Sequence, residues 1–296
     1  MIETEGISPL RLAVEGNEQD RDALSQIEKR LCGLVVPILQ FERLDDLLTE
    51  IDAFDAVVAL PDSGNTNSAA ETLAASDKHL LIEASILTSI DEVSHLRSVY
   101  EQSKATLVAS YRLRYQAASK AVLTSLASQK LGRPGLLRTH AWSSSHAADE
   151  QLLSLIDLAC TVFQSPPETV WAIRKTFSQA SHCTNLHLGF PQNGMALIDV
   201  SIEDSFGAGY FTWSVIGSDG AAYIDDHHDM QLLIRDSQRQ AITTPDSAIS
   251  ILSQVQKFLG RIANHRELRV DTSDVEVALN VAARALQSIT TEAVAS

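Results

Sequence analysis

Along the first third of the chain, short apolar runs alternate with stretches of helical period. Residues 10–14 form a compact apolar run of the kind that makes a buried strand. Residues 20–31 place Ala23, Leu24, Ile27 and Leu31 on one side of a helix. The pattern then repeats. A Val/Ile/Leu strand falls at 33–39, a short amphipathic helix at 44–51 and a strand at 55–60, which the turn signal Pro61-Asp62-Ser63-Gly64 ends. An Ala-rich helix at 68–76, a strand at 79–82, a helix at 90–102 and a strand at 106–110 follow. Strands alternating with helices predict a parallel sheet covered on both faces. This first domain is expected to close near residue 112.

From there the pattern changes. A helix at 116–129 is stopped by Gly132 and Pro134, and an alternating strand follows at 136–142. An apolar core helix spans 147–162. Six extended segments come next without helices between them, at 169–176, 185–188, 195–202, 211–216, 221–225 and 230–235. Such a series predicts an open, mainly antiparallel sheet. Helices at 247–263 and 273–288 close the chain, and 291–296 reads as a loose tail. The expected fold is therefore α/β. A Rossmann-like parallel-sheet domain, 1–112, precedes an α+β domain with an open, mainly antiparallel sheet, 113–296.

Charge narrows the function classes. The chain carries 38 acidic against 23 basic side chains, a net charge of -15, which repels nucleic acid and anionic membranes over most of the surface. No run approaches the ~20 apolar residues of a membrane span, and the N-terminal Met1-Ile2-Glu3-Thr4-Glu5 does not read as a signal peptide. Cys32, Cys160 and Cys183 are widely spaced and odd in number, which fits reduced thiols in the cytoplasm better than a disulfide framework.

The first strand-to-helix turn is where a parallel-sheet protein of this kind would cradle a pyrophosphate. That turn needs glycines, so that backbone amides approach the anion, and a helix N-terminus left free for it. Here it reads Glu15-Gly16-Asn17-Glu18-Gln19-Asp20, with one glycine and three carboxylates. The carboxylates suit the helix dipole themselves and repel a phosphate.

Several segments, in order, carry a family resemblance. They are Asp55-Ala56-Val57-Val58-Ala59-Leu60-Pro61-Asp62, Lys78-His79-Leu80-Leu81-Ile82-Glu83-Ala84-Ser85, Leu131-Gly132-Arg133-Pro134, Ile156-Asp157-Leu158-Ala159 with Val170-Trp171-Ala172, and Gly217-Ser218-Asp219-Gly220. Together they resemble the Gfo/Idh/MocA oxidoreductases, over residues 10 to 290 or so. The resemblance implies a nucleotide-fold domain, a sheet domain, NAD(P) as cofactor and a sugar-type substrate. It places Gly16, Asn17, Pro61 and Asp62 at cofactor-binding positions. The departures from that pattern are specific. The glycine fingerprint is absent, and the second strand ends in Pro37-Ile38-Leu39-Gln40 with no acid for a ribose hydroxyl. The family's Glu-Lys-Pro has become Glu83-Ala84-Ser85, and its Asp-x-x-x-His pair has become Glu150 and Ser154. Alanine cannot stabilise an alkoxide, and serine is a poor general base.

Within that frame, Glu83, Tyr111, Arg112, Arg114 and Trp142 are the candidate ligand-cleft residues. Glu83 holds a ligand hydroxyl or accepts backbone amides at a strand end. Arg112 and Arg114 grip an anion or a sugar, or join parts of the fold by salt bridges. Trp142, with Ser143 to Ser145 and His146, suits a sugar face or is a solvated loop. His182-Cys183 with His187, and Asp225-Asp226-His227-His228-Asp229, contain ligand types, but no metal is expected. The leading expectation is an oxidoreductase-like protein with no cofactor and no NAD(P) catalysis, binding a small polar ligand or acting as a regulator or scaffold. The alternative is an NAD(P)-dependent dehydrogenase of a sugar, polyol or sugar acid, in which Glu83, Glu150, His146 and Arg112 take over proton transfer and orientation. A third reading makes it the structural partner of an active relative. The resemblance also implies a homodimer or larger assembly through the second-domain sheet, which the alternation in the late strands permits.

Overall fold

The computed structural model describes residues 10–15, 31, 35–41, 44–60, 66–143, 148–178, 181–203, 209–226, 228, 230–235, 238–242, 248–263 and 269–295. The chain divides into two compact units. The first joins residues 1–115 to a return segment, 246–276, and the second joins 116–245 to 277–296.

The first unit is built on a parallel sheet. Its strands are β1 (Leu10–Glu15), β2 (Val35–Phe41), β3 (Ala56–Ala59), β4 (His79–Glu83), β5 (Leu107–Ser110) and the two-residue β14 (Val270–Asp271), arranged β14-β5-β4-β3-β1-β2. β3 and β5 are buried at every position, which is why they read as unbroken apolar runs. Helices α1 (Leu44–Thr49), α2 (Thr66–Ala75) and α3 (Ile90–Glu101) connect the strands. A capping box fixes the start of α3: Ser89 accepts from the Glu92 amide, and Glu92 accepts from the Ser89 amide. α6 (Ala248–Ala263) returns from far along the chain. Its stripe Ile251, Leu252, Val255, Phe258, Leu259 and Ile262 packs on Leu12, Val14, Val58, Leu81 and Val108, the core of this unit. The helix expected at 20–31 lies outside the described residues except for Leu31, which is buried in that core.

The second unit is one mixed sheet. It contains β6 (Pro134–Ser143), β7 (Thr169–Thr176), β8 (Ser181–Phe190), β9 (Gly194–Glu203), β10 (Tyr210–Gly217), β11 (Gly220–Asp225), β12 (Met230–Arg235) and β13 (Gln238–Ala241). The order is β13-β12-β11-β10-β6-β9-β8-β7, and the β6–β9 pair alone is parallel. α5 (Ala148–Phe163) packs on β6 and β9. α4 (Ala117–Ala127) lies by β11. Beneath the helices the sheet buries Leu137, Ala141, Leu186, Ile198 and Trp213, and the other face of the sheet is half-exposed. Gly132 has a φ of 67°, and a Cβ there would strike Ser218 and Asp219 of the β10–β11 turn, so glycine is required at this joint.

Three expectations need correction. β8 runs from Ser181 rather than 185, because pairing with β9 continues through His182 and Cys183. The segment read as a loose tail is helical: α7 (Ser273–Ala295) extends past 288 to Ala295. Neither β13 nor β14 was expected. β13 is fully exposed and polar, with no apolar alternation to mark it, and β14 is too short for any pattern. Among the described residues, no helix is long and apolar enough to cross a membrane.

Candidate functional site

In an open parallel sheet, ligands bind at the carboxyl ends of the strands, where the strand order reverses. Here β2 and β3 lie on opposite sides of β1, so that point falls between β1 and β3. The turns that follow these two strands hold Gly16, Asn17, Pro61 and Asp62, all outside the described residues. The neighbouring ends of β4 and β5 are described. Glu83 ends β4 opposite Ser110 of β5 and is only 3% exposed. One carboxylate oxygen accepts the Arg112 amide at 3.0 Å. The other accepts the Gln254 side-chain amide of α6 at 3.2 Å and lies 3.7 Å from Arg112 Nε. The Gln254 amide also reaches the Ser110 carbonyl and hydroxyl, at 3.4 and 3.3 Å. The carboxylate thus ties β4, β5 and α6 together, and both oxygens are engaged. Ala84, next in the chain, is fully buried, and the Ser85 hydroxyl is buried without a hydrogen-bond partner among the described residues.

Tyr111 is fully buried. Arg114 is bound to Asp274 at 2.8 Å, and its guanidinium lies 5.9 Å from the Tyr115 ring centre. Lys257 donates to the Tyr115 hydroxyl at 3.2 Å. Glu83, Arg112 and, through Gln254, the α6 face form one network, and each arginine of the expected set has an acidic partner nearby. His146 lies outside the described residues, as does the side chain of Glu150 on α5. Ser154 is half-buried on the same helix, three residues before the buried Asp157.

Trp142 belongs to the second unit, where it faces outward from β6. Its ring neighbours are Tyr210, at 4.9 Å between centres, and His140, at 5.8 Å. His140 Nδ1 is in hydrogen-bond contact with Asp199 of β9, directly opposite it. Around this pair the half-exposed sheet face dips into a polar recess of about 340 Å³, lined among others by Arg138, His140, Asp199, Thr212, Ser214 and Tyr223. Burial, and then the carboxylates of Asp225, Asp199 and Asp226, push the Tyr210 hydroxyl up, so it stays a proton donor. The Asp225–Asp229 run is a tied turn. Burial alone would raise the Asp225 carboxyl, but the His228 ring and amide and the Tyr223 hydroxyl bind it and hold it below the usual range. His227 and Asp229 lie outside the described residues. On β8, His182 and Cys183 point to opposite faces, and His187 packs on Trp171. Among the described residues no group of three His, Cys, Asp or Glu is placed to hold one ion. Sequence reasoning missed Gln254, Arg138, His140 and Asp199. The alternation of β6 and β9 marks the last three as outward-facing, but nothing local pairs two strands 59 residues apart.

No protein-family model and no curated protein matches the sequence. Solved structures do match, and the fold is that of oxidoreductases of the Gfo/Idh/MocA type. The chain is similar to the UDP-N-acetylglucosamine 3-dehydrogenase GnnA of Acidithiobacillus ferrooxidans, with a TM-score of 0.73 and 16% identity over 96% of this chain and 98% of that one. A protein described as an NADPH-dependent oxidoreductase from Desulfitobacterium hafniense gives a TM-score of 0.75 and 14% identity, over 97% of both chains. An oxidoreductase of Agrobacterium radiobacter, solved with NAD+, L-tartaric acid and magnesium, gives 0.74 and 14%, over 96% of this chain and 97% of that one. At these identities the likeness is one of fold.

Proposed function

We propose that this chain keeps the oxidoreductase architecture without NAD(P)-dependent catalysis and serves as a small-ligand binder, regulator or scaffold. The observation that carries this reading is the end of β4. Glu83 has both oxygens engaged inside the protein, and the next position, where the resembled family has its lysine, is the fully buried Ala84. A buried methyl group supplies no cation for a developing alkoxide. Two sequence features support the same reading: the acidic turn at 15–20 and Ser154 in place of a histidine. The residues present therefore do not fit a dinucleotide and its hydride chemistry. The ligand this reading allows is small and polar.

The second reading, an NAD(P)-dependent dehydrogenase of a sugar, polyol or sugar acid, draws on similarity in fold to structures solved with NAD, such as GenD2 from gentamicin A biosynthesis over 96% of this chain. Calorimetric titration with NADH and NADPH separates the two readings. The expected outcome is no heat of binding up to millimolar cofactor. Micromolar binding of either nucleotide overturns the leading reading and sends the search to turnover of polyols and sugar acids.

We further propose that the chain self-associates through the half-exposed face of the second-unit sheet. Trp142, Trp171, Ile173, Met195, Ile216 and Met230, most of the large exposed apolar side chains, all lie on that face.

A further inference from the structure

The recess on the second-unit sheet has a chemistry that neither the fold nor the proposed function uses. Across β6, β10 and β11, Arg138, Ser214 and Tyr223 stand directly opposite one another. Two residues along, about 7 Å away, the row continues as His140, Thr212 and Asp225. The recess exists because the two short side chains, Ser214 and Thr212, lie between taller ones on either side. Its floor is therefore made of hydroxyls.

Its charge is what points to a ligand. Asp199, the carboxylate on the wall, is held by His140, and Asp225 beyond it is held by Tyr223 and His228. Arg138 lines the same recess and makes no hydrogen bond or ion pair among the described residues, and neither do the side-chain hydroxyls of Thr212 and Ser214. What distinguishes Arg138 is its place, an unpaired guanidinium on the wall of a recess rather than on open surface. A planar guanidinium with free hydroxyls beside it is the donor set that grips a carboxylate or phosphate by paired hydrogen bonds. The volume, about 340 Å³, is that of a small-molecule site. We infer that this recess binds a small oxyanion, a carboxylate or phosphate borne on a compact molecule, with Arg138 as the fork and Ser214 and Thr212 as hydroxyl partners.

The inference does not need the strand-end reading of the first unit, and it does not need self-association. The test is calorimetric titration of the full chain at low ionic strength with inorganic phosphate, glycerol 3-phosphate and citrate, which separates phosphate from carboxylate as the recognised group. Arg138→Ala removes the fork, and Arg138→Lys keeps the charge without it. Ser214→Leu fills the recess from a position that points away from the core. The expected result is saturable binding of at least one probe, weakened tenfold or more by Arg138→Ala, less by Arg138→Lys, and abolished by Ser214→Leu. Binding is compared only between samples with wild-type melting and sedimentation, so a failure of self-association reads out separately. Absence of saturable binding of all three probes at millimolar concentration overturns the inference, and so does binding that survives both Arg138→Ala and Ser214→Leu.

Discussion

Glu83 is the residue on which the reading of the first unit turns, because it has two roles that measurement can tell apart. As a structural acceptor it satisfies the Arg112 amide and the Gln254 side chain in a site that water does not reach. Leaving such donors buried and unsatisfied costs about 1–3 kcal/mol each. Glu83→Ala is accordingly expected to lower unfolding stability by about 3 kcal/mol, and Glu83→Gln by less, since the amide oxygen still accepts one of the two bonds. Urea denaturation checks both values. A ligand-holding carboxylate would give the opposite result, with stability nearly unchanged on Glu83→Ala and affinity lost. The sequence placed Glu83 at the end of a buried strand and Arg112 just past the next one. It left both of their roles open, because Gln254 lies 171 residues from Glu83 and no local pattern announces it.

At the scale of elements, β7 shows how a long sheet ends safely. It is the outer strand, so the backbone groups on its free side are available to any other strand. The last helix occupies two of them, and it also fixes the chain just before the strand. Ser288 donates to the Ala172 carbonyl at 3.4 Å and accepts its amide at 3.2 Å, and Arg284 donates to the carbonyls of Pro167 and Glu168 at 3.0 and 2.8 Å. Replacing both side chains by alanine is expected to cost about 2–4 kcal/mol, four hydrogen bonds at about 0.5–1 kcal/mol each. It is also expected to produce concentration-dependent light scattering as β7 edges pair. Unchanged scattering in the double variant would remove the protective role. Most elements were legible from their periods: the all-buried β3 and β5, the alternation of β6 and the stripe of α6 each follow from which faces meet the core. What was not legible was partnership. The stripe of α6 predicts a helix with one apolar face, but not that this face covers the sheet formed by the first hundred residues. In the same way, nothing in the local pattern of 291–295 carries the apolar period that marked the rest of α7, which is why the segment read as a tail.

For the molecule as a whole, the open question is what covers the second-unit sheet. One face is packed under α5, and the other carries Trp171, Ile173, Met195 and Ile216 in water. Scattered exposed apolar residues need no explanation, but a set gathered on one flat face marks an interaction surface. A second copy fits better than a charged partner, because the exposed apolar side chains rim the recess and the acids within it, Asp199 and Asp225, are already held by His140, Tyr223 and His228. Such a rim can meet its own rotated image across a two-fold axis and leave the recess enclosed between the copies. A stable pair must bury about 1,200–2,000 Å², within reach of a sheet of eight strands. Sedimentation at micromolar concentration is therefore expected to give a dimer or larger species. Trp171→Glu and Ile216→Arg, each placed on the face and away from the core, are expected to shift it to monomer with unchanged circular dichroism and melting. A wild-type monomer at that concentration ends the reading. A dimer that survives both substitutions moves the interface elsewhere and leaves the exposed face to another partner.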